Sequence, residues 1–291
     1  MTSRQRRFMQ VDVFPSAKHL SGNPVAVVLD SKGLSAGEMQ QFATWTNLAE
    51  TTFVETPSNP KADYKLRIFT ITQELPFAGH PTLGSCKAWL ENGGIPKKEG
   101  EIVQECGIGL VIIKVDSSST RLSFAAPGLL REGSVSEQDL ARICNAMNIR
   151  SEDVLASRWI DNGPGWAGLL LKSAGEVLAI KTDRMKEAEG LIWGIVGVYP
   201  KGQEQDDQPL FELRAFDPLE FEDPVTGSLN AGVGQWLISG GFAPQRYVAS
   251  QGTCLGREGR IYVSADNPFA QGGEVWIGGE TRICITGVVM I

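Results

Sequence analysis

The chain of 291 residues contains only two histidines, His19 and His80. A three-histidine zinc site therefore cannot be built, and a Ser-His-Asp triad would have to use one of these two. The sequence also lacks the G-x-x-x-x-G-K-[ST] motif, and it has no G-x-G-x-x-G after a strand, so the glycine frames that bind phosphates and dinucleotides are missing. We therefore expect a chemistry that needs neither a metal ion nor another cofactor.

Basic surplus, long apolar runs and paired cysteines are missing as well. Lys and Arg total 27 against 34 Asp and Glu, whereas nucleic acids and acidic membrane surfaces attract basic proteins. The basic residues Arg4, Arg6 and Arg7, which we interpret as a solvated terminus, are followed by no signal-peptide core, and no apolar stretch approaches the ~20 residues of a membrane span. Five cysteines without C-x-x-C spacing are typical of reduced thiols. The sequence predicts a cytoplasmic protein that binds neither nucleic acid nor membrane.

Glycine and apolar residues are plentiful, with 33 glycines and 42% hydrophobic residues, which favours many short strands joined by turns. Two stretches with helical spacing begin after Ser35 and Ser136, which are good helix caps. A polar stretch without apolar residues is predicted to be a surface loop. The predicted helices span 35–46 and 136–147, the predicted strands span 9–14, 25–29, 52–55, 64–70, 109–115 and 120–124, and the predicted loop spans 203–208.

Three short patterns occur twice in the same order. L-R-x-F begins at 66 and 213, [HD]-P-x-x-G-S at 80 and 223, and W-L-x-x-G-G at 89 and 236, so the offsets are 147, 143 and 147. Repetition at half the chain length indicates a duplication. We predict two similar domains, 1–128 and 129–291, and the last strand can return to the first domain. The smaller middle offset predicts a loop four residues shorter and a helix four residues longer in the second domain.

Each P-x-x-G-S pattern is predicted to open a helix that ends at Gly-Gly, since proline suits the first turn and glycine the residue after the last. The free N–H groups of a helix start attract anions. If the two domains face each other about a pseudo-two-fold axis, both helix starts would point into one cleft and form a carboxylate site. Asp223 and Ser228 could instead simply cap their helix, and Ser85 has the same simple alternative.

Four segments carry a family resemblance, in the expected order and spacing: Gly22–Val27, Asn47–Phe53, Glu74–Thr82 and Glu222–Ser228. They resemble the phenazine-biosynthesis PhzF-like family, and the resemblance spans nearly the whole chain. It implies the diaminopimelate-epimerase-like α+β fold: two duplicated domains, each a curved, mainly antiparallel sheet wrapped around a central helix, with the active site between them.

The resemblance also implies a biosynthetic, cofactor-independent isomerase that moves a proton on a small carboxylate-bearing substrate. In the phenazine enzyme that substrate is a dihydro-hydroxyanthranilate, and family membership suggests a homodimer. A carboxylate in a water-poor pocket suits such proton transfer because its proton affinity rises towards the working pH. By motif, the implied catalytic residues are Glu50, His80 and Asp223, and the implied substrate-binding residues are Gly79, Gly227 and Ser228. Ser85, at the end of the first P-x-x-G-S pattern, is predicted from the repeat to bind substrate as well.

Two positions depart from the family pattern: Ala78 replaces a cysteine often found before Gly-His, and Ala49 replaces a serine that commonly precedes the glutamate. Neither motif has a thiol at its reacting position, which argues against a two-cysteine racemase. Two alternatives stay open. The first is an amino-acid racemase or epimerase that uses a carboxylate and His80 as opposed acid and base. The second is a non-catalytic module on the same fold that binds a small molecule or a protein.

Overall fold

The computed structural model describes residues 4–117, 119, 121–200, 207–217, 221–266 and 273–291. The chain divides into two compact units, Met1–Ala125 with Gly278–Ile291, and Ala126–Ile277. The end of the chain belongs with the first unit because Thr281–Met290 pairs along its whole length with Gln5–Val13. Thr120 of a predicted strand and 203–206 of the predicted loop lie outside the described residues.

The first unit contains a mainly antiparallel sheet and two helices. Along the chain, the pairs β1–β2, β3–β4, β4–β5, β6–β7 and β7–β8 are antiparallel, as is β1–β18, whereas β2–β3 and β4–β6 are parallel. The elements are β1 (Gln5–Val13), β2 (Asn23–Val28), α1 (Ala36–Thr46), β3 (Glu50–Glu55), β4 (Tyr64–Phe69), β5 (Glu74–Leu75), α2 (Gly79–Glu91), β6 (Glu101–Cys106), β7 (Gly109–Val115), β8 (Leu122–Ala125) and β18 (Thr281–Met290).

Helix α2 is the central helix of this unit. It contacts β1, β2, β3, β4, β8 and β18, and its residues from Gly79 to Cys86 are all buried. A helix with small and apolar residues all round is typical of a protein interior. Gly84 shows how closely the sheet approaches, because a Cβ there would lie 2.3 Å from Cγ1 of Val25. The sheet therefore encloses α2.

The second unit repeats this plan. Its pairs β10–β11, β12–β13, β13–β14 and β15–β16 are antiparallel, β11–β12 and β13–β15 are parallel, and β9 adds antiparallel to β10. The elements are β9 (Arg131–Gly133), α3 (Glu137–Met147), β10 (Val154–Asp161), β11 (Trp166–Leu171), α4 (Ala174–Ala179), β12 (Ile192–Val198), β13 (Phe211–Asp217), β14 (Phe221–Asp223), α5 (Gly227–Ser239), β15 (Arg246–Gln251) and β16 (Gly259–Ala265), with 3₁₀ turns at Ser151–Asp153, Met185–Ala188 and Thr253–Leu255. The unit boundary after Ile277 falls within β17 (Val275–Gly279).

The order of antiparallel and parallel pairings from β1 to β7 is the same as that from β10 to β16. Helices α2 and α5 occupy the same place in this order, and α5 packs on β10, β11 and β16 of its own unit. The chain thus has the predicted α+β fold with two duplicated domains, each a mainly antiparallel sheet around a central helix.

The predicted length difference between the two central helices is wrong. Both have 13 residues, and both follow a short strand after three connecting residues. The structure pairs His80 with Ser228, the second residue of each helix, whereas the sequence pattern paired His80 with Asp223. The helices begin at Gly79 and Gly227, an offset of 148 residues, whereas the pattern begins at 80 and 223, an offset of 143. The pattern is therefore five residues out of register with the structure. Pro81 consequently lies inside α2, whereas Pro224 precedes α5.

Both predicted helix starts agree with the structure to one residue. Ser35 and Ser136 cap α1 and α3 by accepting hydrogen bonds from the backbone N–H of Glu38 and Asp139. The interpretation of Arg6 as part of a solvated terminus is wrong, since Arg6 is buried in β1 and its guanidinium donates to backbone carbonyls. In the described part of the chain, no helix is long and apolar enough to span a membrane.

Candidate active site

Glu50 and His80 lie together in the first unit. Helix α1 ends at Asn47 in the left-handed conformation, and the short connection that follows places Glu50 as the first residue of β3. His80 is the second residue of α2. The side chains are 16% and 5% exposed, and His80 Nε2 lies 3.3 Å from Glu50 Oε2. The structure therefore brings two of the three predicted catalytic residues into direct contact.

The protonation state of His80 decides what this contact does. Burial lowers the pKa of His80 to about 3, although a hydrogen bond to the Pro24 carbonyl opposes the shift. The imidazole is therefore neutral near pH 7, and the contact is not an ion pair there. Nε2 faces Glu50, so we infer that Nδ1 donates to Pro24 and that Nε2 carries a lone pair. His80 Nε2 has no hydrogen-bond partner among the described residues.

Two acceptors that face each other at this distance have room for one proton between them. When the Glu50 carboxyl is protonated, its O–H can donate to His80 Nε2; when it is ionised, the two lone pairs repel each other. Because the imidazole is neutral, it places no positive charge beside the Glu50 carboxylate. This arrangement suits a group that takes one proton and then returns it.

The start of α2 lacks a side-chain cap. Its N-cap is Ala78, which makes no side-chain capping bond, and the first turn has no acidic residue, so the orphan N–H groups keep their positive partial charge. Gly79 opens this helix against the ring of Phe124, which a Cβ at that position would approach to 2.4 Å. The predicted binding residue Gly79 is thus fixed by packing as well as placed at the helix start.

The predicted binding residue Ser85 lies elsewhere. It is in the second turn of α2, completely buried, and its Oγ is 2.8 Å from the hydroxyl oxygen of Thr52. A substrate cannot reach a side chain in that position. We therefore assign Ser85 to helix packing, which was the simpler of its two readings, and leave it out of the proposed site.

Asp223 is the last residue of β14 in the second unit, and the connection after it is firmly held. Thr226 Oγ1 donates to Asp223 Oδ2 over 2.6 Å. The fully buried Gln251 donates through Nε2 to the Asp223 carbonyl over 3.0 Å and to Thr226 Oγ1 over 2.8 Å. The Asp223 carboxylate therefore has a fixed orientation within its unit.

Gly227 and Ser228 open α5. The N-cap residue is Thr226, which makes no side-chain capping bond to the helix, and the first turn again lacks an acidic residue. Ser228 Oγ accepts a hydrogen bond of 2.9 Å from Nε1 of Trp166, and the Ser228 carbonyl accepts one of 2.8 Å from Asn162 Nδ2. Asn162 lies in the turn between β10 and β11, and Trp166 is the first residue of β11.

The sequence analysis missed three residues that hold these groups, Asn162, Trp166 and Gln251. Each is distant from its partner along the chain, and an isolated tryptophan or amide carries no motif, so no local pattern pointed to them. Across the described ranges, no group of three or more His, Cys, Asp or Glu side chains is gathered so that it could hold a metal ion.

Comparison with known proteins identifies the family and agrees with the fold. Residues 11–287 match the family described as "Phenazine biosynthesis-like protein". "Antisense-enhancing sequence 1" of Schizosaccharomyces pombe is 40% identical over 296 residues, covering 97% of this chain and 98% of that protein. The "Trans-2,3-dihydro-3-hydroxyanthranilate isomerase" of Pseudomonas chlororaphis is 52% identical over 81 residues, 28% of each chain.

Among solved structures, the Bacillus anthracis phenazine biosynthesis protein of the PhzF family has the same fold, with a TM-score of 0.82 at 20% identity over 99% of this chain and 100% of that chain. The family match covers nearly all of both units, and the contacting pair Glu50 and His80 lies within the matched residues. The chain therefore belongs to the phenazine biosynthesis-like, or PhzF, family and is an isomerase.

Proposed function

We propose that the protein is a cofactor-independent isomerase that moves a proton on a small carboxylate-bearing substrate, with Glu50 as the proton carrier. The observation that carries the proposal is the contact of 3.3 Å between Glu50 Oε2 and a buried, neutral His80. A largely buried carboxylate next to a neutral imidazole suits general base catalysis of proton removal from carbon.

The proposed reaction moves atoms without a net redox change. The Glu50 carboxylate takes a proton from an sp³ carbon of the substrate, and the electron pair of that C–H bond moves into the adjacent double-bond system. The Glu50 carboxylic acid, held by His80 Nε2, then gives the proton to another carbon of that system. One C–H bond breaks and one forms, and the carboxyl returns to its starting state.

The other residues are proposed to bind rather than to carry the proton. Gly79 and Gly227 present backbone N–H groups at two helix starts, and Ser228 adds a hydroxyl, all of which suit a carboxylate. Asp223 is a fixed acceptor and suits an amino or hydroxyl group of the substrate. These assignments rest on the family motifs together with the geometry of each unit.

The geometry favours an isomerase over a racemase that would use Glu50 and His80 as opposed acid and base. Opposed groups must approach a carbon from two faces, whereas atoms 3.3 Å apart reach it from the same side. A group acting from one side returns the proton to the face from which it came, which is what a proton shift along one face of a planar intermediate needs.

Deuterium exchange tests this function. The full-length protein is incubated with trans-2,3-dihydro-3-hydroxyanthranilate in D₂O and followed by proton NMR, and a panel of other unsaturated amino and hydroxy acids is treated in the same way. We expect a double-bond shift with deuterium on the newly protonated carbon. Inversion at a single carbon without a double-bond shift would instead support an epimerase. Binding without exchange for every compound would support the non-catalytic module.

We also propose a cytoplasmic homodimer. The five free cysteines suit a reducing compartment. Strand β18 presents exposed side chains of Ile285, Val288 and Met290, and β1 is its pairing partner among the described residues. Exposed apolar strands of this kind pair readily with another chain. Light scattering is expected to give twice the chain mass of 31.5 kDa, and Val288→Lys the mass of one chain. A single-chain mass for the unmodified protein would contradict the proposal.

A further inference from the structure

We propose that Trp166 makes the Ser228 hydroxyl a hydrogen-bond donor and thereby selects ligands that present a carboxylate to the start of α5. The inference rests on the proposed function, which assigns Ser228 to substrate binding, and it adds a positioning residue outside the family motifs that we identified. Its basis is the hydrogen bond of 2.9 Å from Trp166 Nε1 to Ser228 Oγ.

The direction of this hydrogen bond is fixed by chemistry. An indole N–H is a donor only, whereas a serine hydroxyl has one hydrogen and two acceptor lone pairs. Because the Trp166 N–H occupies an acceptor position on Ser228 Oγ, the hydroxyl hydrogen turns away from the indole. Ser228 therefore offers a hydrogen to its surroundings, at any pH at which the protein is folded.

The segment from Ile160 to Trp166, which joins β10 to β11, is held rigidly against α5. Asn162 Nδ2 donates to the Ser228 carbonyl over 2.8 Å, which anchors the turn between β10 and β11 to the first turn of the helix. Asp161 Oδ1 closes that turn by accepting from two of its backbone N–H groups, each over 2.7 Å. Further along, a Cβ at Gly232 would lie 2.6 Å from the Ile160 carbonyl oxygen, so strand and helix touch through their backbones.

Ser228 differs in role from the serines that cap other helices. Ser35, Ser136 and Ser173 precede their helices, and each accepts a hydrogen bond from a backbone N–H of its own first turn. Ser228 is the second residue inside α5, and its hydroxyl accepts from another element instead. The first turn of α5 therefore keeps its N–H groups and gains a hydroxyl donor beside them, which favours an anionic acceptor over a neutral one.

Calorimetry with two probes tests the inference on the full-length protein. Anthranilate and anthranilamide share a ring and an amino group but differ in carboxylate against carboxamide. We expect the wild type to bind anthranilate more tightly. Trp166→Phe keeps the packing ring and loses the N–H, so we expect anthranilate binding to weaken about threefold to tenfold, with less effect on anthranilamide.

Ser228→Ala is expected to cause a similar loss, and the double variant little more than either single one, because the two residues act through one hydrogen bond. Trp193→Phe is the matched control: Trp193 is buried in the same unit, and its Nε1 has no partner among the described residues. That variant is expected to keep the preference for anthranilate, and its melting temperature calibrates the stability cost of exchanging a buried tryptophan.

Three results would overturn the inference: equal or undetectable binding of both probes by the wild type, unchanged anthranilate affinity in Trp166→Phe, or additive losses in the double variant. The proposed function fails on a different readout. Absence of deuterium exchange would refute proton transfer by Glu50 and would leave the carboxylate preference set by Trp166 and Ser228 in place.

Discussion

Helices α2 and α5 have the same length and the same position in their units, but they carry different reactive side chains. Each has 13 residues, follows a short strand after three connecting residues, and carries a buried glycine at its sixth position. The second helical residue, however, is His80 in one and Ser228 in the other, and the strand before it ends with Leu75 in one and Asp223 in the other. Packing positions have thus been kept in both copies, whereas the positions with reactive groups have diverged.

A second feature shared by the two units is a salt bridge between an arginine and a glutamate. In each unit the arginine also lies over the ring of the phenylalanine two residues after it. Arg67 binds Glu74 through two hydrogen bonds, with side chains 21% and 41% exposed. Arg214 binds Glu222 in the same way, with side chains 3% and 7% exposed. We therefore expect the buried salt bridge of the second unit to affect the free energy of unfolding far more than the exposed one of the first unit.

Replacing each arginine measures this difference. Arg214→Ala leaves the buried Glu222 carboxylate without its counter-charge and is expected to cost about 3–5 kcal/mol of unfolding free energy. Arg67→Ala removes the exposed salt bridge to Glu74 and is expected to cost at most about 1 kcal/mol of unfolding free energy. Chemical denaturation of both variants provides the measurement. Equal losses would show that burial does not distinguish the two copies.

The burial of His80 predicts that the protein loses stability as the pH falls. Its counterpart Ser228 does not titrate and has no such effect. The folded pKa of His80, about 3, lies below the ordinary value of 6.5, so between these pH values the unfolded chain binds a proton that the folded protein excludes. The associated stability is fully present above about pH 6.5 and decreases as the pH falls towards 3. The stability difference between wild type and His80→Asn should shrink by about 3 kcal/mol from pH 7 to pH 4. A difference that is constant with pH would refute a neutral His80.

The glycines at the sixth position of each helix, Gly84 and Gly232, allow the packing of the two helices to be compared. A Cβ at Gly84 would meet side-chain carbons of Val25 and Val13, whereas one at Gly232 would meet the backbone carbonyl of Ile160. Side chains can turn aside and backbone cannot, so Gly232→Ala is expected to cost about 1–3 kcal/mol and Gly84→Ala less.

Gly37→Ala in α1 is the control, because the nearest atom to its new Cβ is 4.0 Å away and alanine favours a helix by up to about 1 kcal/mol. We therefore expect this variant to be slightly more stable than the wild type. Thermal unfolding of the three variants decides the order, and a larger loss for Gly84→Ala would contradict it.

The sequence predicted the duplication and the helix caps because both depend on residues close together in the chain. Ser35 with Glu38 is a local pattern, and three repeated patterns in one order are hard to produce by chance. The pairing of His80 with Asp223 was wrong because the short pattern matches five residues away from the structural register: it begins inside α2 in one copy and before α5 in the other. Only the strands before and after the helix fix the register.

The prediction of the site was incomplete because contacts between distant residues depend on how the elements pack. Glu50 and His80 came from the family motifs, but their contact depends on how β3 and α2 pack, which no motif states. Ser85 occupies the serine position of the repeated P-x-x-G-S pattern and is nevertheless buried against Thr52. Trp166 and Gln251 act through hydrogen bonds to residues far away along the chain, which no local sequence pattern reveals.

The central claim is that Glu50 carries the proton, and Glu50→Gln tests it most directly. The amide keeps the size of the side chain but cannot take a proton from carbon near neutral pH. Glu55→Gln, at the other end of β3 and paired on the surface with Lys65, is the matched control.

The measurement is the rate of deuterium incorporation into the substrate identified by the exchange experiment, together with its Kd. We predict that Glu50→Gln lowers this rate about 10²–10⁴-fold with little change in Kd, while Glu55→Gln stays close to the wild type. A Glu50→Gln protein that retains more than about a tenth of the wild-type rate would contradict the account, because the loss would fall well short of the ~10²-fold expected.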